Sequence, residues 1–242
     1  MTMEPALLEK KGHIALITLN RPEARNSFSP EMLVRLAGHW EEVRDDANIR
    51  VAIVTGAGDK AFCSGADLGQ LIPLINGARK PQNEWDQKIL ADPNILAKGL
   101  LRTFDVTKPV IAAINGAAFG VGVTMTLGCD VRYAEAGAKL GLNFTSLGVL
   151  PGLGSTYHLP RLVGMGKAME LVLSGARLSA EEAYDIGLVQ KVCAPGSTLD
   201  EARTLALAMA DKQPAVLAAA ASARPAQRHP HSGTHALLQA RR

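Results

Sequence analysis

The chain has 242 residues, of which 47% are apolar and 20% charged, enough for one domain with an ample core or for a domain with an appendage. Its net charge of +3 is carried at the far end: without the four arginines beyond Ser222, 22 basic residues face 23 acidic ones. A near-neutral body implies no basic surface for nucleic acid.

In chain order, Glu4, Glu9, Lys10 and Lys11 interrupt any apolar leader, so no signal peptide is read at the start. The run from His13 to Leu19, rich in β-branched residues, predicts a strand that ends at the turn Asn20-Arg21-Pro22. Ser29-Pro30 is an N-cap followed by proline at the first helical position, and Met32, Leu33, Leu36, Trp40 and Val43 mark one helix face. Val51–Thr55 predicts a buried strand closed by Gly56-Ala57-Gly58. Residues 69–95 hold three prolines and no clean period, and read as a mobile excursion with the character of a lid. Ile95–Phe104 reads as helical, and Pro109–Ile114 and Val131–Ala134 as strands.

Val110–Cys129 is a stretch of 20 residues without a charge, long enough to cross a bilayer. Asn115-Gly116 divides it, and Gly120 and Gly122 weaken a continuous helix, so a buried strand, a loop and a buried helix are expected, with no membrane span. Further on, Ser179 with Glu182 and Thr198 with Glu201 have the spacing of capping boxes. The first opens a helix ending near Gly187, ahead of a strand at Val189–Val192; the second opens a helix to about Ala210. The alternation argues for α/β layers. Residues 1–197 are taken as the core and 198–223 as a C-terminal helical region. The stretch 224–242, rich in Pro, His and Arg, is expected to be poorly ordered, and its abrupt composition raises a truncated or frame-shifted end as a hypothesis. Three widely spaced cysteines, Cys63, Cys129 and Cys193, form no CxxC pair; neither a disulfide framework nor a metal site is suggested, and a reducing compartment, the cytoplasm, is expected.

Two stretches carry the chemistry. Ala61-Phe62-Cys63-Ser64-Gly65-Ala66-Asp67-Leu68 and Asn115-Gly116-Ala117-Ala118-Phe119-Gly120-Val121-Gly122 each follow a strand-like run and lead into a helix-like one. Small residues there let main-chain N–H groups approach a ligand closely. Two such donors aimed at one oxygen make an oxyanion hole, in which losing one donor costs roughly 100- to 1,000-fold in rate. Other motifs fail. Gly120-Val121-Gly122 is followed by Met125 where a dinucleotide loop needs glycine, Gly164-Met165-Gly166-Lys167 lacks the spacing of a P-loop, and Phe62 stands where a nucleophile elbow at Ser64 needs glycine.

Read with their flanks, these loops resemble the crotonase superfamily, the enoyl-CoA hydratase/isomerase proteins. Leu19-Asn20-Arg21-Pro22-Glu23-Ala24-Arg25-Asn26 is similar to its first CoA-binding turn, and the two glycine stretches to its oxyanion loops. Leu147-Gly148-Val149-Leu150-Pro151-Gly152 and the segment Leu178–Val189 match later signatures. The resemblance implies a spiral of ββα units, assembly as a homotrimer or a homohexamer made of two trimers, and an acyl-CoA thioester as substrate with no separate cofactor. The thioester oxygen would sit between the N–H groups of Ala66 and Val121, the latter where the family commonly has glycine. Ala24, Arg25, Ala61, Phe62, Ser64, Asp67 and Leu68 would line the path of CoA, with Arg21 or Arg25 as charge-assisted donors to its phosphates.

One departure bears on mechanism. At the two positions where the family's hydratases carry catalytic glutamates, this chain has Thr124 and Phe144. One positioned acid–base group contributes roughly 100- to 10,000-fold. Efficient hydration is therefore not expected, and a lyase or isomerase using other groups stands beside a non-catalytic acyl-CoA-binding protein. Asp67 and Thr124 are weighed as substitute groups against service to the helix start and to the backbone. His158, Glu84, Asp86 and Asp92 are weighed against ordinary solvated or half-buried roles, and Cys63 is read as a packing residue.

Overall fold

The computed structural model describes residues 4–102 and 104–222. Strands β1 (Ala6–Lys11) and β2 (Ile14–Leu19) form an antiparallel hairpin across Gly12, whose φ of 58° suits glycine. The sequence reading missed β1, an edge strand whose outer half is charged and exposed. Helix α1 (Pro30–Asp45) begins as expected: the Ser29 hydroxyl accepts from the Met32 amide, and Met32, Leu33, Leu36, Trp40 and Val43 are buried. Each such side chain contributes about 1.5–3 kcal/mol on leaving water.

Three successive strand pairs follow, each closed by helices. They are β3 (Val51–Gly56) with β4 (Ala61–Cys63), then β5 (Val110–Ile114) with β6 (Ala117–Phe119), then β7 (Val131–Glu135) with β8 (Lys139–Gly141). Between the first and second pairs lie α2 (Leu71–Ile75), α3 (Glu84–Ala91) and α4 (Asn94–Gly99); α5 (Val121–Thr126) follows the second pair. After the third come α6 (Ser155–Val163), α7 (Met165–Ser174), β9 (Arg177–Ser179), α8 (Ala180–Asp185), β10 (Lys191–Cys193), α9 (Thr198–Ala210) and α10 (Pro214–Ser222).

The first strand of each pair joins a six-stranded sheet of order β1-β2-β3-β5-β7-β10; the second joins a four-stranded sheet of order β4-β6-β8-β9. Repetition of that step makes the expected spiral of ββα units. In the larger sheet every pairing after the hairpin is parallel, and β3 and β5 are buried throughout, so both faces need cover. Ala52, Val54, Ala112 and Ile114 face the main core with α1; Val51, Ile53, Ile111 and Ala113 face a second core built on Ala202, Ala206 and Ala210 of α9. The stripe of alanines lets α9 lie close to the sheet.

Several expectations need correction. The stretch 69–95 is built of α2 and α3, with Leu71, Leu74 and Ile89 in the core. Arg79 holds it, donating to both oxygens of Asp86 at 2.6 and 2.9 Å and to the Gln70 carbonyl. The Asp86 carboxylate is 2% exposed and also accepts from the Gln82 amide. Helix α4 stops at Gly99, whose carbonyl accepts from the buried Trp40 indole; Leu101 beyond it takes φ 53°. The capping box at Ser179 forms in full, but the one at Thr198 does not: Ser197 is the N-cap, and the Thr198 hydroxyl donates to Glu135 at 3.3 Å. The last strand is shifted to Lys191–Cys193. What was expected of 224–242 lies outside the described residues, and among those described no helix is long and apolar enough to cross a membrane.

The Arg79 hydrogen bond, more than the opposing effect of burial, holds the Asp86 carboxyl below its ordinary range, with the amides of Gln82 and Asn83 adding to it. A depressed carboxyl contributes stability above its unfolded pKa and loses it as pH falls through the folded value. Hydrogen bonds to charged groups contribute about 1.5–3 kcal/mol. Asp86→Asn should therefore speed amide exchange across 70–92 by about tenfold or more at pH 7, and the wild-type chain should show the same loosening only in acid. Equal protection in both proteins at pH 7 would remove the clamp from this account.

Candidate functional site

The two glycine stretches lie side by side because β4 and β6 are adjacent parallel strands, Ala61 opposite Ala117 and Cys63 opposite Ala118. Strand β8 lies parallel on the other side of β6. The segments Gly65-Ala66, Gly120-Val121 and Leu142-Asn143-Phe144 thus leave the carboxyl ends of three neighbouring strands, where parallel sheets commonly place ligands. The four strands of this sheet were not read from sequence.

Backbone contact fixes the approach. A Cβ on Gly122 would overlap the Cys63 carbonyl oxygen, and one on Gly65 would lie 3.0 Å from the Phe119 oxygen and 3.8 Å from the Val121 nitrogen. Gly65 has φ 105° and Gly120 φ 53°, both in the region that favours glycine.

Two amides remain for an outside acceptor. Phe28 pairs with Ala66 as a parallel bridge, the Phe28 amide donating to Gly65 and the Asp67 amide to Phe28. That pattern leaves the Ala66 N–H pointing away from Phe28. Val121 is the first residue of α5, so its N–H has no carbonyl within the helix to meet. Among the described residues neither amide has an acceptor, and both residues are partly exposed.

Side-chain amides hold the loops behind these donors. Asn26, fully buried with φ 55°, donates to the carbonyls of Ala57 and Ala61 at 2.9 and 2.8 Å and accepts from the Arg21 amide. Asn115 donates to the carbonyls of Gly56 and Gly58 and accepts from the Gly56 amide. Arg132, 2% exposed, donates to the carbonyls of Thr126, Cys129 and Leu188, tying the end of α5 to the loop before β10. None of the three was picked out in the sequence as a clamp. Asn26 closes the motif of the first turn and Asn115 precedes a glycine, which were the available signals; Arg132 gave none.

The expected CoA-lining residues divide. Arg21 turns inward, donating to the Ser27 carbonyl and to Asp67 at 2.9 Å, and its side chain is 14% exposed. Of the two arginines in this turn, Arg25 is the exposed one. The Phe62 side chain is fully buried in the core. Arg25 is exposed and, with Glu23, Asn26, Asp59, Lys60 and Ala61, lines a cleft of about 290 Å³ between the first turn and the loop after β3. Ala24 and Ser64 are half-buried and adjoin each other, the Ser64 hydroxyl 3.5 Å from the Ala24 carbonyl, while Leu68 is 66% exposed.

The candidate acid–base groups are engaged in structure. Asp67 accepts from Arg21 and from the amides of Gly69 and Gln70. Burial alone would raise its carboxyl, but those donors together hold it below the ordinary range, which suits an ion-paired anchor more than a proton carrier. Thr124 is buried, its hydroxyl 3.4 Å from the Val121 carbonyl in its own helix. Phe144 is buried, and its ring edge is 4.0 Å from where a Gly120 Cβ would stand. Burial pushes the Cys63 thiol up to about 12, so it is no nucleophile at neutral pH. His158, packed on Gly154 and edge-on to Tyr157, is held below its ordinary value by burial and by Arg161 and Arg132. Among the described residues no His, Cys, Asp or Glu cluster is arranged to hold a metal ion.

A mixed α/β spiral with two unengaged amides at the ends of adjacent parallel strands defines a class of site built from main chain. The chain belongs to the enoyl-CoA hydratase/isomerase family, whose sequence profile matches residues 9–240. It is 43% identical over 205 residues to the enoyl-CoA hydratase/isomerase family protein YngF of Bacillus subtilis, covering 85% of this chain and 75% of that one. To the (E)-benzylidenesuccinyl-CoA hydratase of Thauera aromatica it is 41% identical over 210 residues, covering 87% and 78%. The crystal structure of an enoyl-CoA hydratase from Bacillus anthracis superimposes with a TM-score of 0.80 at 36% identity, covering 98% of this chain and 89% of that one.

Gly122→Ala should drive the two loops apart, because the clash is with backbone that cannot rotate away; overpacking of this kind costs typically 1–3 kcal/mol. Asn26→Ala should destabilise by about 1–3 kcal/mol, since it leaves the buried Ala61 carbonyl unmet and frees the half-buried Ala57 carbonyl. Thermal melts of both variants check these values, and wild-type stability in either would show that the clamp or the contact does not matter.

Proposed function

We propose that this chain binds an acyl-CoA thioester with its carbonyl oxygen between the N–H groups of Ala66 and Val121. A thioester carbonyl gains negative charge when its α-carbon loses a proton or its β-carbon is attacked. Two fixed amide dipoles stabilise that charge without reorganising. The observation that carries this reading is the pair of unengaged amides on loops in backbone contact. Support comes also from the names of the relatives, which are hydratases and isomerases of CoA esters. The nucleotide end would meet Arg25 and Lys60 at the cleft beneath the first turn.

Turnover is a separate matter. Thr124 and Phe144 stand at the positions of the usual carboxylates, and the other candidates are engaged elsewhere. An enzyme of this superfamily with chemistry other than efficient hydration is the first reading; a non-catalytic acyl-CoA-binding protein is the second, and the same two positions favour it. Three buried cysteines, all unpaired, suit a reducing cytoplasm. Assembly as a trimer or a pair of trimers is proposed from family membership.

Two measurements test this. Crotonyl-CoA hydration should run at least about 100-fold below the roughly 10 per second typical of enzymes; a rate near that typical value would show that another group serves as base. Val121 occupies the first helical position, where proline is tolerated, so Val121→Pro removes the donor at little cost to the helix. Titration calorimetry should then show butyryl-CoA weakened by about 3- to 10-fold, the worth of one hydrogen bond, and free CoA unchanged. Equal losses for both ligands would place the thioester oxygen elsewhere.

A further inference from the structure

Next to Gly120, the residue before the second amide, stands a polar side chain with no partner among the described residues. Strand β8 runs into Leu142-Asn143-Phe144, and the Phe144 amide donates to the Leu142 carbonyl at 2.9 Å, closing a tight three-residue turn centred on Asn143. Leu140, Leu142 and Phe144 are buried; Asn143 alone of this run is polar and half-exposed. Its Oδ1 lies 3.5 Å from where a Cβ on Gly120 would stand, and the Gly120 amide donates to the Gly141 carbonyl at 2.9 Å. The carboxamide is therefore held beside the residue that precedes the Val121 donor. Among the described residues it makes no hydrogen bond, although a carboxamide offers two donors and an acceptor.

We propose that Asn143 is a specificity-determining residue that hydrogen-bonds an oxygen on the β-carbon of the acyl group, so that the site prefers 3-hydroxyacyl over saturated acyl thioesters. The inference rests on the acyl-CoA reading above and adds the chemistry at the far side of the carbonyl. An acyl chain whose carbonyl oxygen meets Val121 extends past Gly120. A group there that can donate and accept, but carries no titratable proton, suits holding a hydroxyl and not removing it. The side chains of Leu142 and Phe144, on either side of Asn143, are buried and apolar and offer no hydrogen bond to such an oxygen. Phe144 supplies an apolar neighbour at the same turn, which leaves Asn143 as the single polar contact this segment offers.

Calorimetric titration of the full chain with free CoA, butyryl-CoA and 3-hydroxybutyryl-CoA tests it, with each ester verified intact by chromatography afterwards. In the wild-type chain the hydroxy ester should bind about 3- to 10-fold more tightly than butyryl-CoA. In Asn143→Leu, close to isosteric, and in Asn143→Ala, the ratio should fall to about one. Thermal melts confirm that the variants fold, and the wild-type ratio stands as a test that needs no variant. A wild-type ratio of one, with both esters bound more tightly than free CoA, overturns the role of Asn143 alone. So does a preference that survives both substitutions. If neither ester binds better than free CoA, the acyl-CoA reading fails and takes this inference with it.

Discussion

The site depends on one contact, the approach of Gly122 to the Cys63 carbonyl, with Gly65 against Phe119 beside it. Any side chain at position 122 would hold the two loops apart, so the spacing of the donors is set by the absence of a Cβ. Main chain is well suited to this task. An amide on a short loop pinned at both ends has less freedom than a side chain on rotatable bonds, and less reorganisation is needed when charge develops on a ligand. The parallel register of β4 and β6 delivers both loops to the same end of the same sheet.

Behind the donors the fold uses neutral clamps where it can. Asn26 and Asn115 each join several backbone groups of the turns between the two sheets, without the desolvation cost of a buried charge. Where charges are used they are paired or face carbonyls. Arg21 neutralises Asp67 next to the first donor, and Arg132 meets the carbonyls at the end of α5, the helix whose first amide is the second donor. A cation at a helix C-terminus opposes the partial negative charge there.

Much of this was legible in the sequence, for reasons that differ by element. Strands β2, β3 and β5 announce themselves by β-branched apolar runs, and α1 by its cap and its apolar face. The second sheet does not, since three residues are too few to show a period, and β4, β6 and β8 sit inside the glycine stretches. The donors at Ala66 and Val121 were placed by the loops and the family resemblance together. Arg21 and Asp67 were read as ligand-facing because sequence shows charge and not partners; only the fold joins residues 46 apart into one ion pair. For the same reason the Arg79–Asp86 clamp was invisible, and the segment it orders looked like a lid. The burial of Phe62 was not legible either, because strand alternation in so short a segment cannot tell core from cleft.

On the proposed reading, the two halves of the machinery have parted in this chain. Everything that fixes the amides is present: the small residues at 65, 120 and 122, the asparagine clamps, the parallel register. Yet the positions that would carry proton-transfer groups hold a hydroxyl turned to its own helix and a buried aromatic ring. Energetically the two are separable. Amide dipoles act on a bound oxygen whether or not a base stands at the α- or β-carbon, so on the proposed reading grip on a thioester does not need the carboxylates, while the chemical step draws on the orders of magnitude that a positioned base supplies. Thr124 and Phe144 are buried, and uncharged side chains at such positions carry no desolvation cost of an ion. A site of this kind can thus become more stable as it becomes a poorer catalyst, because the same charge that would carry a proton costs free energy to bury.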